Sequence, residues 1–244
     1  MELVRRLFAA IFVLVAPQVC AQWQPIGPGP AHGGQVEGIT NREVVGAVNT
    51  IAAHPTDANI LYLGAVNGGI WRSGNATAAS PTWTRLTDSL GSLSIGSLEF
   101  DPTDGTRQTL VAGVARVSSL SRDGGARIGM LRTTNGGSSW SVLTGAGVLA
   151  GLDLVGVAAR GATLLAATGS GIFRSTDTGG AFALVSGAGA SGLPTGGTTD
   201  LAADPGNNAR LYTAVINGPA RGIYRSIDTG ATWTKVSDAS VDGV

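Results

Sequence analysis

Ser175-Thr176-Asp177-Thr178-Gly179-Gly180-Ala181-Phe182 and Ser226-Ile227-Asp228-Thr229-Gly230-Ala231-Thr232-Trp233 share one pattern, Ser/Thr-x-Asp/Asn-x-Gly-x-x-aromatic, and Thr133-Thr134-Asn135-Gly136-Gly137-Ser138-Ser139-Trp140 is a third copy. An Asp or Asn two residues before Gly reads as a tight turn. Its side-chain oxygen accepts local backbone N–H groups, and Gly supplies the positive φ of the bend. Ser73-x-Asn75, leading to Trp83, is a degenerate copy with three extra residues.

The agreement extends to both sides of the turn. Ahead of it stand Gly69-Ile70-Trp71-Arg72-Ser73, Gly129-Met130-Leu131-Arg132-Thr133, Gly171-Ile172-Phe173-Arg174-Ser175 and Gly222-Ile223-Tyr224-Arg225-Ser226. Behind it come Thr84-Arg85-Leu86-Thr87, Ser141-Val142-Leu143-Thr144, Ala183-Leu184-Val185-Ser186 and Thr234-Lys235-Val236-Ser237. Two further apolar runs lie upstream in each unit, such as Leu98-Glu99-Phe100 and Leu110-Val111-Ala112 in the second. Each unit thus holds four short runs between Gly, Pro, Asp or Asn punctuation, which read as strands, and no window offers an amphipathic helix.

Four strands recurring every 42 to 60 residues predict an all-β propeller of four-stranded antiparallel blades. The blades are placed at about 44–91, 92–150, 151–195 and 196–240, after a lead-in at 22–43. Trp23-Gln24-Pro25-Ile26-Gly27 in that lead-in resembles an outer strand, yet the fourth unit already owns one. The expectation is therefore an incomplete arc with open end faces, the N-terminal part of a longer propeller.

Residues 1–21 read as a secretory signal peptide. Arg5 and Arg6 precede the apolar run Leu7–Ala16, and Val19-Cys20-Ala21 offers a cleavage site after Ala21. Such a run is too short to span a membrane. Cleavage removes the single cysteine, so no disulfide and no cysteinyl metal site is expected. The expected location is outside the cell, in the periplasm or on the cell surface. With 16 basic and 16 acidic side chains the net charge is zero, which excludes a nucleic-acid footprint.

The turn pattern resembles the Asp-box, or BNR repeat, of β-propellers in sialidases, xyloglucanase-type glycoside hydrolases and sortilin-like receptors. The resemblance covers about residues 23–240 and implies the fold without implying an activity. It places the turn between the third and fourth strands, away from the axial pocket. Thr133, Asn135, Gly137, Trp140, Ser175, Asp177, Gly179, Phe182, Ser226, Asp228, Gly230 and Trp233 are accordingly expected to be structural. Asn135 at one Asp position argues that charge is dispensable there. Arg72, Arg132, Arg174 and Arg225 are expected to hydrogen-bond between strands or blades.

Enzymatic readings find little purchase. Tyr62, Tyr212 and Tyr224 all occupy repeat slots, leaving no spare sialidase-type nucleophile. Where the resemblance to xyloglucanases implies a catalytic Asp, the chain has Val66 beside Asn67. Inverting hydrolysis needs two carboxyl groups across the scissile bond. Glu37, Asp123 and Asp153 lie outside the repeat slots and are the carboxylates least explained by packing. Gly187-Ala188-Gly189-Ala190-Ser191-Gly192 fits a dinucleotide fingerprint, but Leu193-Pro194 follows where a helix would have to open. His54 fills a turn slot held elsewhere by Asp101 and Asp204, and His32 stands alone. Asn75-Ala76-Thr77 matches a glycosylation sequon, which has meaning only in a eukaryotic secretory pathway. No catalytic residue, cofactor or metal site is assigned. The expected role is a scaffold binding carbohydrate or protein, the alternative a secreted glycoside hydrolase or an N-terminal part of one.

Overall fold

The computed structural model describes residues 47–118 and 123–242. The expected signal peptide, the strand-like segment at Trp23, His32 and Glu37 lie outside these residues. The first blade comprises β1 (Val48–Ala53), β2 (Leu61–Ala65), β3 (Gly69–Ser73) and β4 (Thr84–Arg85). The second has β5 (Ile95–Phe100), β6 (Leu110–Val114), β7 (Met130–Thr133) and β8 (Ser141–Leu143). The third has β9 (Gly156–Arg160), β10 (Thr163–Thr168), β11 (Gly171–Ser175) and β12 (Ala183–Leu184). The fourth has β13 (Ala202–Asp204), β14 (Asn207–Val215), β15 (Gly222–Ser226) and β16 (Thr234–Lys235). Each blade is an antiparallel meander with its strands in chain order. A single-turn helix, α1 (Ala239–Asp242), follows the last strand, where the sequence suggests no helix.

Register decides which side chains meet across a blade. Leu63 pairs with Trp71, Ala112 with Leu131, Ala166 with Phe173 and Thr213 with Tyr224. Side chains alternate between faces along a strand, so this row looks at the preceding blade and its neighbours look at the following one. Leu131 joins Tyr62 in the core between the first two blades. Phe173 joins Val111, and Tyr224 joins Leu165, at the next two junctions. The aromatics that end the turns close the same gaps: Trp140 packs on the first of these cores, Phe182 lies in the second and Trp233 in the third.

Inner strands come close enough to require glycine. A Cβ on Gly113 would sit 2.6 Å from Ser97 Oγ and 2.9 Å from Leu154 Cβ. Strands β6 and β9 are buried along their whole length. The end blades differ. Along β15 Tyr224 and Ser226 are buried while Ile223 and Arg225 are exposed, and Ile51 on β1 is 61% exposed. The fourth blade has one covered face and one bare face, while on the backward face of the first blade Ile51 is exposed and its partner Leu63 is buried; the propeller is an open arc.

The outer strands are shorter than the sequence suggests, two residues in three of the blades. The reason is a side-chain cap. Thr87 Oγ1, Ser186 Oγ and Ser237 Oγ accept the N–H of Ile70, Ile172 and Ile223 at 2.8, 3.0 and 2.9 Å. A hydroxyl thereby replaces the next ladder carbonyl and frees the backbone to turn into the connector.

The box glycines carry two constraints at once. Gly179 has φ of 91°, and a Cβ there would lie 2.7 Å from Leu143 Cδ1 of the preceding blade. Gly179→Ala is expected to destabilise the fold by about 2 kcal/mol, from backbone strain and overpacking. Urea unfolding checks this, and an unchanged midpoint would contradict the inter-blade fit.

Candidate functional site

A meander puts alternate turns at opposite ends. The turns after β1 and β3 share one end of each blade, while the turn after β2 and the connector to the next blade share the other. The Ser/Thr-x-Asp/Asn turns all lie at the first end. There Ser175 Oγ donates to Asp177 Oδ1 at 2.6 Å and accepts the Gly179 N–H at 2.9 Å, and Asp177 Oδ1 accepts the Ala181 N–H at 3.0 Å. Ser226, Asp228, Gly230 and Thr232 repeat this arrangement. Thr133, Asn135, Gly137 and Ser139 do so with an amide oxygen in place of a carboxylate. The degenerate copy keeps part of it, with Thr82 N–H on Asn75 Oδ1 at 2.8 Å. Bonds from the Ser175 hydroxyl and then from the Ala181 N–H hold the Asp177 carboxyl below its ordinary range. This carboxylate accepts hydrogen bonds throughout and offers no proton to a substrate.

The repeated arginines have four different surroundings. Arg174 Nε donates across the blade gap to Thr229 O at 2.9 Å. Arg72 Nε donates to Tyr62 Oη at 3.1 Å, and that hydroxyl donates to Gly136 O of the second blade at 2.8 Å. Arg132 Nε is buried without a partner, and Arg225 is exposed on the open end. Tyr62 and Tyr224 are buried, Tyr224 Oη donating to Ala220 O at 2.6 Å.

At the connector end, loops from three blades enclose a groove of about 400 Å³. Arg127 comes from the loop after β6, Asp153 from the connector before β9, Ser170 from the turn after β10 and Thr199 from the connector before β13. Val155 and Ile216 add apolar surface. Asp153 is held from two sides: Oδ1 accepts the Arg116 N–H at 2.8 Å and Oδ2 meets Arg127 Nη1 at 3.3 Å. A chain of bonds continues toward the first blade. Arg116 Nε reaches Gly125 O, Gly125 N–H reaches Ser94 Oγ, and Ser94 Oγ donates to Asn67 Oδ1 at 2.6 Å. Asn67 Nδ2 in turn donates to Asp123 O at 3.3 Å. The sequence singles out Asn67, Asp123 and Asp153 without showing that one network joins them. Arg127, Ser170 and Thr199 lie between repeat slots and carry no sequence signal of a role.

The other concentration of charge lies between inner strands. Glu99 occupies a slot that is Ala52, Ala158 and Ala202 in the other blades, and Arg160 a slot that is His54, Asp101 and Asp204. These two departures meet: Arg160 Nη1 contacts Glu99 Oε1 at 2.9 Å, with the arginine side chain 2% exposed. Arg160 Nε also donates to Asn208 O at 2.7 Å. Glu99 Oε2 and Arg160 Nη2 are buried and unpartnered. Burial outweighs the neighbouring guanidinium and pushes the Glu99 carboxyl up to about 7. Among the described residues no group of three or more metal-ligating side chains occurs, and no helix is long and apolar enough to cross a membrane.

No protein-family model matches the sequence, and comparison with curated proteins returns no match. Solved structures do match. An ancestral GH74 enzyme superposes with a TM-score of 0.57 at 17% identity, over 89% of this chain and 25% of that one. The GH74 xyloglucanase of Xanthomonas campestris gives 0.55 at 23% identity, over 88% and 32%. An auxiliary nutrient binding protein of Bacteroides thetaiotaomicron gives 0.53 at 14% identity, over 83% and 44%. These likenesses show the propeller fold, and the chain spans about a quarter to a third of the length of the GH74 enzymes.

Two predictions follow from the charges. Asp177→Asn is expected to keep the melting temperature near that of the parent at neutral pH, and Asp177→Ala to lower it. A carboxyl depressed in the folded state stabilises above its unfolded value of about 3.9 and loses that contribution as pH falls through its folded value. Thermal melts from pH 7 to 2 should therefore bring parent and Asn variant apart in acid, the parent losing more. For Glu99 the sign is opposite. A raised carboxyl favours the folded state when protonated, so that stability falls as pH rises from about 4.3 to about 7. Glu99→Gln should remove this slope in urea titrations at stepped pH, and an unchanged slope would assign it elsewhere.

Proposed function

We propose that the chain is an exported Asp-box propeller scaffold that binds a saccharide or protein ligand at the connector end. The observation that carries this reading is the groove between Arg127, Ser170 and Thr199, in which the carboxylate, Asp153, is bridged by an arginine and a backbone N–H. A carboxylate so engaged orients loops and accepts hydrogen bonds from hydroxyls. It is poorly placed to act as an acid or base, which needs a free partner opposite it. The nutrient-binding protein among the structural neighbours supports a non-catalytic role for such a propeller. The Asp-box residues serve as inter-blade turns, residues 1–21 as the export signal, and the end faces of the first and fourth blades as surfaces for further blades of a longer chain.

The competing reading, glycoside hydrolysis, is favoured by the superposition on GH74 enzymes. Calorimetric titration with xyloglucan oligosaccharides, run beside an assay for released reducing ends, separates the two. The scaffold reading expects heat of binding without reducing ends, and an Arg127→Gln variant weakened about tenfold by loss of a charge-assisted donor. Reducing ends released by the parent and abolished in Asp153→Asn would establish the hydrolase instead.

A further inference from the structure

At the opposite end of the arc, between the first and second blades, lies an open pocket of about 300 Å³. We infer that it is a binding site for the oxyanion group, carboxylate or sulfate, of a small organic ligand. Its wall brings together Arg72, His54, Gln108 and Ser138 around the apolar surface of Ile60 and Leu86. No Asp or Glu lines it.

Arg72 and His54 each keep donors to offer. Arg72 spends only Nε, on Tyr62 Oη, and its guanidinium lies 5.8 Å from the Tyr62 ring centroid. Among the described residues it has no carboxylate partner, so both terminal nitrogens remain for a ligand. His54 accepts the N–H groups of Thr56 and Asp57 on Nδ1 at 3.3 and 3.1 Å. A ring nitrogen that accepts leaves the hydrogen on the other, so Nε2 is a donor. The nearest carboxylate along the chain from Gln108, that of Asp104, is occupied by Thr106, Gln108 and Thr109 backbone N–H groups.

Two positions at this pocket carry a neutral side chain where two of the four blades carry an acid. The turn that walls it carries Asn135 where the later turns carry Asp177 and Asp228. The slot of His54 holds Asp101 in the second blade, Arg160 in the third and Asp204 in the fourth. In both places the neutral residue performs the same local turn-capping as the acid. Folding therefore does not require the change, whereas an anion beside Arg72 does. Two cationic or neutral donors without a competing carboxylate favour a charged oxygen ligand over a neutral hydroxyl.

The site stands apart from the connector-end groove and does not depend on it. The test is titration of the full chain at low ionic strength with glucuronate, inorganic sulfate and glucose, followed by amide NMR shifts. Glucuronate or sulfate should move the Gly136 and Ser138 amides and saturate in the millimolar range or below, while glucose should not. Tighter glucuronate than sulfate identifies a sugar-borne carboxylate, and the reverse order a sulfate. Asn135→Asp and His54→Asp install the acid that other blades carry, so both variants should keep the parent melting temperature. Each should weaken the anion about tenfold or more. Equal response to glucose, shifts confined to other residues, no response at all, or full affinity in a folded Asn135→Asp variant would overturn the site.

Discussion

One contact recurs at every junction between blades, on top of the apolar cores: a tight turn pressed against the sheet before it. The fourth residue of that turn has positive φ at Gly136, Thr178 and Thr229, and so does the glycine after it. Threonine at positive φ is strained, and the structure shows what holds it there. Thr178 gives its N–H to Ala162 O in the turn between β9 and β10, and Thr229 to Ala209 O near the start of β14, each in the inner hairpin of its own blade. The carbonyl of Thr229 faces outward to Arg174, and that of Gly136 to Tyr62, in the blade before. The turn thus ties its own outer strands to its inner hairpin and offers an acceptor to its neighbour. Glycine beside it lets Leu86, Leu143 or Leu165 come flush.

This division of labour explains why charge is optional in the turn and geometry is not. The oxygen two residues after Ser or Thr has to accept N–H groups, which amide and carboxylate do alike. The Asn135 turn has the same bonds as the Asp177 turn, with one extra from Asn135 Nδ2 to Ser139 Oγ. Positions where the turn tolerates either residue are therefore free to respond to what lies beside them. The first and second blades use that freedom, keeping carboxylates away from Arg72, while Glu99 and Arg160 use a different pair of slots to place opposite charges together between inner strands.

The fold was legible because its units are local and repeated. Turn, preceding Gly-apolar-bulky-Arg phrase and following hydroxyl recur together, and each reports a contact within one blade or with its neighbour. The hydroxyls of Thr87, Ser186 and Ser237 were visible as a recurring residue, but their effect, shortening the outer strand, needs the cross-strand N–H to be located. The connector-end groove was barely legible. Asp153 and Arg127 are separated by 26 positions and lie in loops whose length differs from blade to blade, so no period aligns them. Glu99 and Arg160 were each readable as departures from the repeat. That the two departures compensate one another is a property of inner strands packing side by side, 61 positions apart in the chain.

Repetition also explains where the arc stops being self-sufficient. An interior blade offers Arg and an apolar residue forward to the turn and aromatic of the next blade, and presses its own turn and aromatic backward, so both faces are covered and β6 and β9 are buried throughout. The fourth blade makes the same forward offer, Tyr212 and Arg225, into open space, and Ile227 at its turn is 63% exposed. The first blade presents Trp71 backward, with Arg85 stacked 5.9 Å from its ring. The forward face of the fourth blade and the backward row of the first are halves of the kind of junction that the three interior contacts complete. A surface that docks there has to supply a turn carbonyl and glycine to the fourth blade, or an apolar row and donor to the first. That requirement is narrower than for an ordinary apolar patch.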